Sequence, residues 1–161
     1  MRHTPLLSVF VVTLSACSAA GSQATDPGAL SASLRADLQN ERFQMVTSIR
    51  GLPLGVRDGL QSLFGSQTLD IADPGAELHA TGVTNAMPAR RLTAAACSTN
   101  YCLVHYERLG NNPTWHVTLF HWTPEATRFE WGGTAPGTMA TADEVRTAVL
   151  SGAIKGSTGP W

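Results

Sequence analysis

The sequence predicts an α+β protein, an antiparallel β-meander of four to five strands with N-terminal helices and a C-terminal helix packed on one face. Three observations predict this class. Apolar residues recur at helical spacing over residues 29–65, four β-rich runs follow over residues 91–132, and a helix-capping sequence begins at residue 141. Helices on either side of consecutive antiparallel strands are typical of α+β proteins, where they cover one sheet face.

Two helices are predicted at the start of the domain. Leu30, Leu34 and Leu38 lie four residues apart and so line one face of a first helix, whose end is left open because the apolar spacing continues towards Pro53. After Pro53 a second, shorter helix has four apolar residues on one face. Gly65 is placed to cap its C-terminus.

Residues 66–90 contain the turn signal Asp73-Pro74-Gly75, around which we expect one irregular strand. The following region is richer in β-branched and aromatic residues and is divided by loops of four or five residues. Such short loops favour an antiparallel meander. The predicted strands are residues 91–97, 102–108, 114–122 and 127–132.

The C-terminal helix is indicated by a capping box. Thr141 is followed three residues later by Glu144, so that each side chain can bond the other residue's main-chain N–H. Val145 and Val149 then supply an apolar stripe, and Gly152 is a stop signal.

The N-terminus has the pattern of an export signal. Arg2 precedes an apolar run over residues 5–14, which is too short to span a bilayer. The run ends in Leu14-Ser15-Ala16-Cys17, which resembles the lipobox of bacterial lipoproteins. The resemblance implies lipidation of Cys17 and anchoring to the membrane through several acyl chains. The alternative is an ordinary secretory signal cleaved near Ala16 or Ala20.

These features predict three regions: a signal peptide at residues 1–16, a lipidated flexible tether at residues 17–28 and a single α+β domain at residues 29–161. The tether is small and polar, so it buries little apolar surface. The implied location is a bacterial membrane, facing the periplasm. Ser18, rather than aspartate, follows the cysteine, which in lipoproteins is compatible with the outer membrane.

Charge gives no case for nucleic acid as a partner. Removal of residues 1–16 takes away only Arg2, which leaves ten basic and twelve acidic residues and a formal net charge of −2. Nucleic-acid and anionic-membrane binding both rely on a positive excess.

Cys97 and Cys102 flank a four-residue turn, where cross-strand partners lie close enough for a disulfide. Export to an oxidising compartment favours the bridge. A redox or metal role, the alternative, would prefer the spacing Cys-x-x-Cys.

No cofactor, metal or catalytic residue is predicted. His79, His105, His116 and His121 invite a metal site, but no carboxylate or cysteine pattern completes one, so half-buried histidines are the favoured interpretation. Neither a Gly-x-Ser-x-Gly elbow nor a phosphate-binding glycine loop is present.

Aromatic residues of the third predicted strand fall on both alternation phases, since Trp115 lies on one and Phe120 and Trp122 on the other. Either both sheet faces are core, or some of these rings form an exposed binding surface for a partner.

Four stretches together resemble a group of small exported bacterial proteins of unknown function, which implies no catalytic residue. They are GLPLGVRDGL at residues 51–60, DPG at 73–75, PARRL at 88–92 and VHYERLG at 104–110. Two hypotheses follow. The first is an envelope lipoprotein that is a non-enzymatic binding or structural module with an envelope protein as partner. The second is a small periplasmic hydrolase or enzyme-inhibitor module.

Overall fold

The computed structural model describes residues 28–78 and 88–161, which contain three α-helices and one antiparallel sheet of six strands. Each strand pairs with its neighbours in sequence, so the sheet is a meander. The helices are α1 (Ala32–Asn40), α2 (Leu54–Phe64) and α3 (Ala142–Ser151). The strands are β1 (Gln44–Met45), β2 (Arg90–Cys97), β3 (Tyr101–Arg108), β4 (Thr114–Trp122), β5 (Thr127–Ala135) and β6 (Lys155–Gly156).

The predicted α+β class is confirmed, with more strands than expected. The four central strands coincide with the four predicted runs, and the additional strands β1 and β6 form the two edges. Each edge strand has only two residues. A segment so short has no alternation pattern of its own, which is why the sequence does not reveal it.

Local sequence signals set the bounds of the helices. α1 stops at Asn40; of the apolar residues spaced beyond it, Phe43 and Val46 flank β1 and Ile49 begins a 3₁₀ turn at Ile49–Gly51. Gly65 and Gly152 close α2 and α3 in the left-handed conformation, at φ of 63° and 78°. The predicted capping box begins α3, with both of its hydrogen bonds present.

The helices do not all pack on one face, and this part of the prediction is corrected. α2 packs on the face that carries Val104 and Tyr106 of β3. α1 and α3 pack on the opposite face, against Leu103 and the apolar side chains of β4 and β5. The physical reason is visible in β3, where residues 102–106 are all buried, as expected for a strand covered on both sides.

A β-bulge lies in β2 at Thr93. Cys97 pairs with Cys102 and Ala94 with His105, but the register then shifts by one, so that Leu92 pairs with Tyr106. The hydroxyl of Thr93 donates a hydrogen bond to the carbonyl oxygen of His105, at 2.9 Å. Because side chains alternate between faces, the extra residue turns the side chains of Arg90 and Leu92, at the start of β2, towards the α2 face.

The segment expected to contain an irregular strand contributes one isolated parallel bridge, between Ala72 and Arg91, and no strand in residues 66–78. The leader, Cys17 and most of the tether lie outside the described residues, as does His79. Of the helices described in residues 28–78 and 88–161, none has the length and apolar character needed to cross a bilayer.

The sulfur atoms of Cys97 and Cys102 are at bonding distance, as the turn spacing predicts. The two residues are cross-strand partners, with Cα atoms 4.1 Å apart. The bridge closes the β2–β3 hairpin.

We expect reduction of this bridge to lower the melting temperature by several degrees without unfolding the domain. Closing so short a loop contributes about 2 kcal/mol in the chain-entropy model. Thermal unfolding with and without reductant measures the change. The variant Cys97→Ala/Cys102→Ala is the control, because it should be insensitive to reductant; a wild-type melting temperature equally insensitive would contradict the expectation.

Substitution of Gly59 tests the packing of α2 on the sheet. Glycine to alanine inside a helix ordinarily stabilises by roughly 0.5–1 kcal/mol. At Gly59 the new Cβ would lie 2.8 Å from Cε1 of Phe120, a ring that is 1% exposed. We therefore expect Gly59→Ala to destabilise the fold by about 1–3 kcal/mol in chemical denaturation.

The exposed Ser62, on the same helix, gives the control variant Ser62→Ala, whose effect should stay within about 0.5 kcal/mol. A stabilised Gly59→Ala protein would show that α2 does not sit on the Phe120 ring.

Candidate functional site

The three aromatic residues predicted as a binding surface do not share one surface. Phe120 is buried under α2 beside Gly59. Trp122, on the same face, is half-buried, and its Nε1–H donates to the carbonyl oxygen of Ser98 at 3.2 Å. Trp115 packs half-buried on the opposite face. The rings occupy both alternation phases because both faces of the sheet carry core.

Trp122 still lines an open groove of about 430 Å³ with Met45, which is 73% exposed. The groove is bordered by the disulfide and by the 3₁₀ turn. None of the buried, unpartnered polar side chains in the described part of the chain lines it. Its lining is mixed, with the polar side chains of Arg42, Gln44 and Thr99 beside the apolar ones, but it lacks, among its described residues, the buried unpartnered groups that mark the pocket where β2 begins.

The described histidines do not converge. His105 pairs with Val117 while His116 pairs with Tyr106, so the two imidazoles are on opposite faces of neighbouring strands. His121 makes an edge contact with the ring of Tyr101. Within residues 28–78 and 88–161, no three histidine, cysteine or carboxylate side chains are grouped so as to hold a metal ion.

His105 holds a loop against the sheet. Its Nδ1–H donates to the carbonyl oxygen of His116 at 2.9 Å, and its Nε2 accepts from the main-chain N–H of Met139 at 3.1 Å. Both bonds require the neutral ring protonated at Nδ1. Burial lowers the pKa of His105, which favours this same neutral form.

A polar pocket of about 440 Å³ lies at the end of the sheet where β2 begins, β3 ends and β4 begins. Arg90, Arg108 and Thr114 are consecutive cross-strand partners and so share the α2 face. Asp70 completes the lining, together with the β3–β4 turn. We call the site formed by these four side chains the arginine pocket.

Arg90 is fixed in place. It is 6% exposed, its Nη1 pairs with Oδ2 of Asp70, and its Nη2 donates to the main-chain oxygen of Trp161 at 2.6 Å. Its guanidinium carbon stands 4.0 Å from the ring centroid of Phe64. Burial lowers the pKa of Arg90, and Asp70 opposes this effect. Arg90 is therefore a buried cation paired with the carboxylate of Asp70.

Arg108 is not neutralised in this way. It is half-buried at the wall of the pocket, and no ion pair or hydrogen bond of its guanidinium occurs among the described residues. It stands directly opposite Arg90, and like charges at paired positions destabilise a sheet. Of the two paired arginines, only Arg90 therefore has a carboxylate side chain as its partner among the described residues.

Tyr106 and His116 occupy the next row inward. Their rings stack with centroids 5.4 Å apart, and Nε2 of His116 is 2.9 Å from the hydroxyl of Thr114. Burial, with the charges of Arg108 and Arg90, lowers the pKa of His116 to about 4, so the ring is neutral near pH 7. Burial raises the pKa of Tyr106 well above its usual range.

Three buried polar atoms of this cluster have no hydrogen-bond partner among the described residues: Nε of Arg90, the hydroxyl of Tyr106 and Nδ1 of His116. Such atoms are rare in folded proteins because leaving one unpaired costs about 1–3 kcal/mol. Their concentration beside one pocket makes the arginine pocket the candidate functional site.

Sequence reasoning does not single out these residues as a site. The hairpin loop between β3 and β4 does place Arg108 opposite Thr114 and Tyr106 opposite His116. The bulge at Thr93, however, leaves no mark in the sequence. An unbulged β2 would put Arg91, not Arg90, opposite Arg108.

No protein-family model, curated protein or solved structure matches this chain.

The buried His116 predicts an acid-sensitive fold. Because its pKa is about 4 in the folded state and 6.5 in the unfolded chain, only the unfolded chain takes up the proton as pH falls below 6.5. Its contribution to stability is lost from pH 6.5 down to about pH 4, at about 1.4 kcal/mol per pH unit and roughly 3 kcal/mol in total.

Denaturant unfolding between pH 5 and 6.5 measures this slope. His105 adds to it in the same direction. We expect His116→Gln to remove about one proton's share of the slope, whereas His121→Gln is the matched histidine control. An unchanged slope in the His116→Gln protein would contradict the burial argument.

Proposed function

We propose that the chain is a lipid-anchored, non-enzymatic binding module of the bacterial envelope, which holds its partner at the arginine pocket. The leader supports export and anchoring, because an apolar run of signal length leads directly into the lipobox-like Leu14-Ser15-Ala16-Cys17. The partner is a component of the same envelope compartment. Of the aromatic residues predicted as a binding surface, Phe120 is core, whereas Trp115 and Trp122 are half-buried on opposite faces, so the pocket is the better candidate.

One observation carries the choice of site: Arg108, a cation without a carboxylate partner among the described residues, faces the buried Arg90 across the sheet. A pair of like charges lowers the stability of the fold. Such a departure from stability is expected where the charges bind a molecule outside the chain. The pocket also provides concave shape and fixed polar groups, which are the usual features of binding sites.

The alternative of a small hydrolase has one geometric argument. The hydroxyl of Thr114 and Nε2 of His116 are 2.9 Å apart, a distance that nucleophilic catalysis requires. The imidazole is a weak base, however, since its pKa is about 4. Nδ1 of the same ring has no orienting partner among the described residues. A general base works best with a pKa near the operating pH and with a third group that orients it, so binding is favoured over catalysis.

Anchoring is tested at Cys17. We expect Cys17→Ser to abolish fatty-acid labelling and to move the protein out of the membrane fraction, because the thiol is the acceptor of the lipid. Labelling of cells with an alkynyl fatty acid, followed by fractionation, measures both effects. Ser18→Ala leaves the thiol in place and should still be labelled. Persistent labelling of the Cys17→Ser protein would refute anchoring at this residue.

The binding site is tested by photo-crosslinking in intact cells. A photoreactive residue at Asn112, on the pocket wall, should capture an envelope component, whereas one at Asp143, exposed on α3, should not. Adding Arg108→Gln to the Asn112 probe should remove the adduct, because the recognising charge is gone. Adducts that survive Arg108→Gln, or that form equally at both positions, would place the binding site elsewhere.

A further inference from the structure

We propose that the arginine pocket binds an anionic oxygen group, a carboxylate or a phosphate, with Arg108 as the recognising cation. This inference rests on the proposed function of the pocket as a binding site and names the chemistry of what it binds. Three observations support it: the pairing of Asp70 with Arg90 alone, the unpartnered N–H groups of Arg108, and the row of cross-strand partners Arg90, Arg108 and Thr114.

The carboxylate of Asp70 is occupied by contacts within the chain. Its Oδ2 pairs with Arg90, and its Oδ1 accepts a hydrogen bond from the main-chain N–H of Ala89 at 2.7 Å. The one carboxylate of the pocket lining is therefore turned towards Arg90 rather than Arg108. Arg108 is therefore left without a carboxylate partner among the described residues. An anion bound at Arg108 would supply that partner and relieve the repulsion between the two guanidinium groups.

Arg108 and Thr114 supply hydrogen-bond donors for an anion. Arginine presents its N–H groups as a planar fork that matches a carboxylate or phosphate, and the fork of Arg108 has no partner among the described residues. Thr114 adds a hydroxyl on the neighbouring strand. When His116 is protonated at Nε2, it donates to Thr114 and leaves the hydroxyl proton available to a ligand.

Arg90 acts as a positioning residue. Its two terminal nitrogens bond Asp70 and the main-chain oxygen of Trp161, and its guanidinium lies over the ring of Phe64. Its buried Nε has no partner among the described residues. Arg90 thus adds positive potential from a fixed position, while Arg108 at the wall makes the contact.

Calorimetric titration of inorganic phosphate, and separately of succinate, into the purified full chain tests this at constant ionic strength. We expect saturable binding of at least one anion and at least a tenfold rise in Kd for Arg108→Gln. Arg108→Lys keeps the charge without the fork and should bind with intermediate affinity. Arg50→Gln, at an exposed arginine outside the pocket, should bind like the wild type.

The melting temperature separates recognition from a structural role. In the absence of anion, Arg108→Gln should melt at the same temperature as the wild type or higher, because it removes a like-charge pair. The anion should raise the melting temperature of the wild type and of Arg50→Gln, but not that of Arg108→Gln. A lowered melting temperature of the anion-free Arg108→Gln protein would mean that Arg108 is structural and would overturn the inference.

The two anions identify the source of the chemistry. Tighter phosphate binding indicates a phosphoryl group, and tighter succinate binding a carboxylate; either result supports the inference. Absence of binding, or equal binding by Arg108→Gln, overturns it. Should the Asn112 probe still capture an Arg108-dependent partner while both anions fail to bind, the binding function stands and only the anionic chemistry is wrong.

Discussion

The arginine pocket exists because of one extra residue in β2. Without the bulge at Thr93, strict alternation would turn Arg90 away from Arg108 and towards the face covered by α1 and α3. With it, Leu92 joins the core under α2, and Arg90 reaches Asp70 and Phe64. Bulges are frequent beside functional sites because they re-aim side chains in this way.

The electrostatics that follow are unfavourable for folding. A buried arginine requires a carboxylate, and Asp70 supplies it from the segment before β2. A second arginine then stands opposite the first without a counterion among the described residues. Tyr106 and His116 are held neutral beside these charges, each with a buried atom lacking a partner. Natural proteins tend to break several rules of stability together where a function requires it.

The disulfide and the core on both sheet faces offset the loss of stability that this cluster of charges causes. The bridge between Cys97 and Cys102 closes the hairpin at the end opposite to the pocket, since it pairs the last residue of β2 with the second of β3. Helices on both faces bury β3 almost throughout. A sheet that is cross-linked and packed on both faces can hold the charged side chains of the pocket in one geometry, as the proposed recognition of a small anion requires.

Local signals were enough to predict the four central strands, the capping box of α3, the glycine caps and the cysteine pair, because each depends on neighbouring residues. The placement of helices on both faces was not predicted, although apolar side chains fall on both alternation phases of β3, with Leu103 on one and Val104 and Tyr106 on the other. β1 and β6 were too short to detect. The site depends on the bulge and on the long-range pair between Asp70 and Arg90, which no local pattern encodes, so only the Arg108–Thr114 and Tyr106–His116 pairs were within reach of sequence reasoning.

Amide chemical-shift mapping tests most directly whether the arginine pocket, and not another surface, receives the ligand. Phosphate or succinate is titrated into the ¹⁵N-labelled full chain while amide signals are followed. Binding at the pocket predicts that the amide signals of Arg108, Gly110, Asn112 and Thr114 shift together along one saturation curve. Shifts that are largest around Met45 and Trp122, or that spread over the surface without saturating, would contradict it.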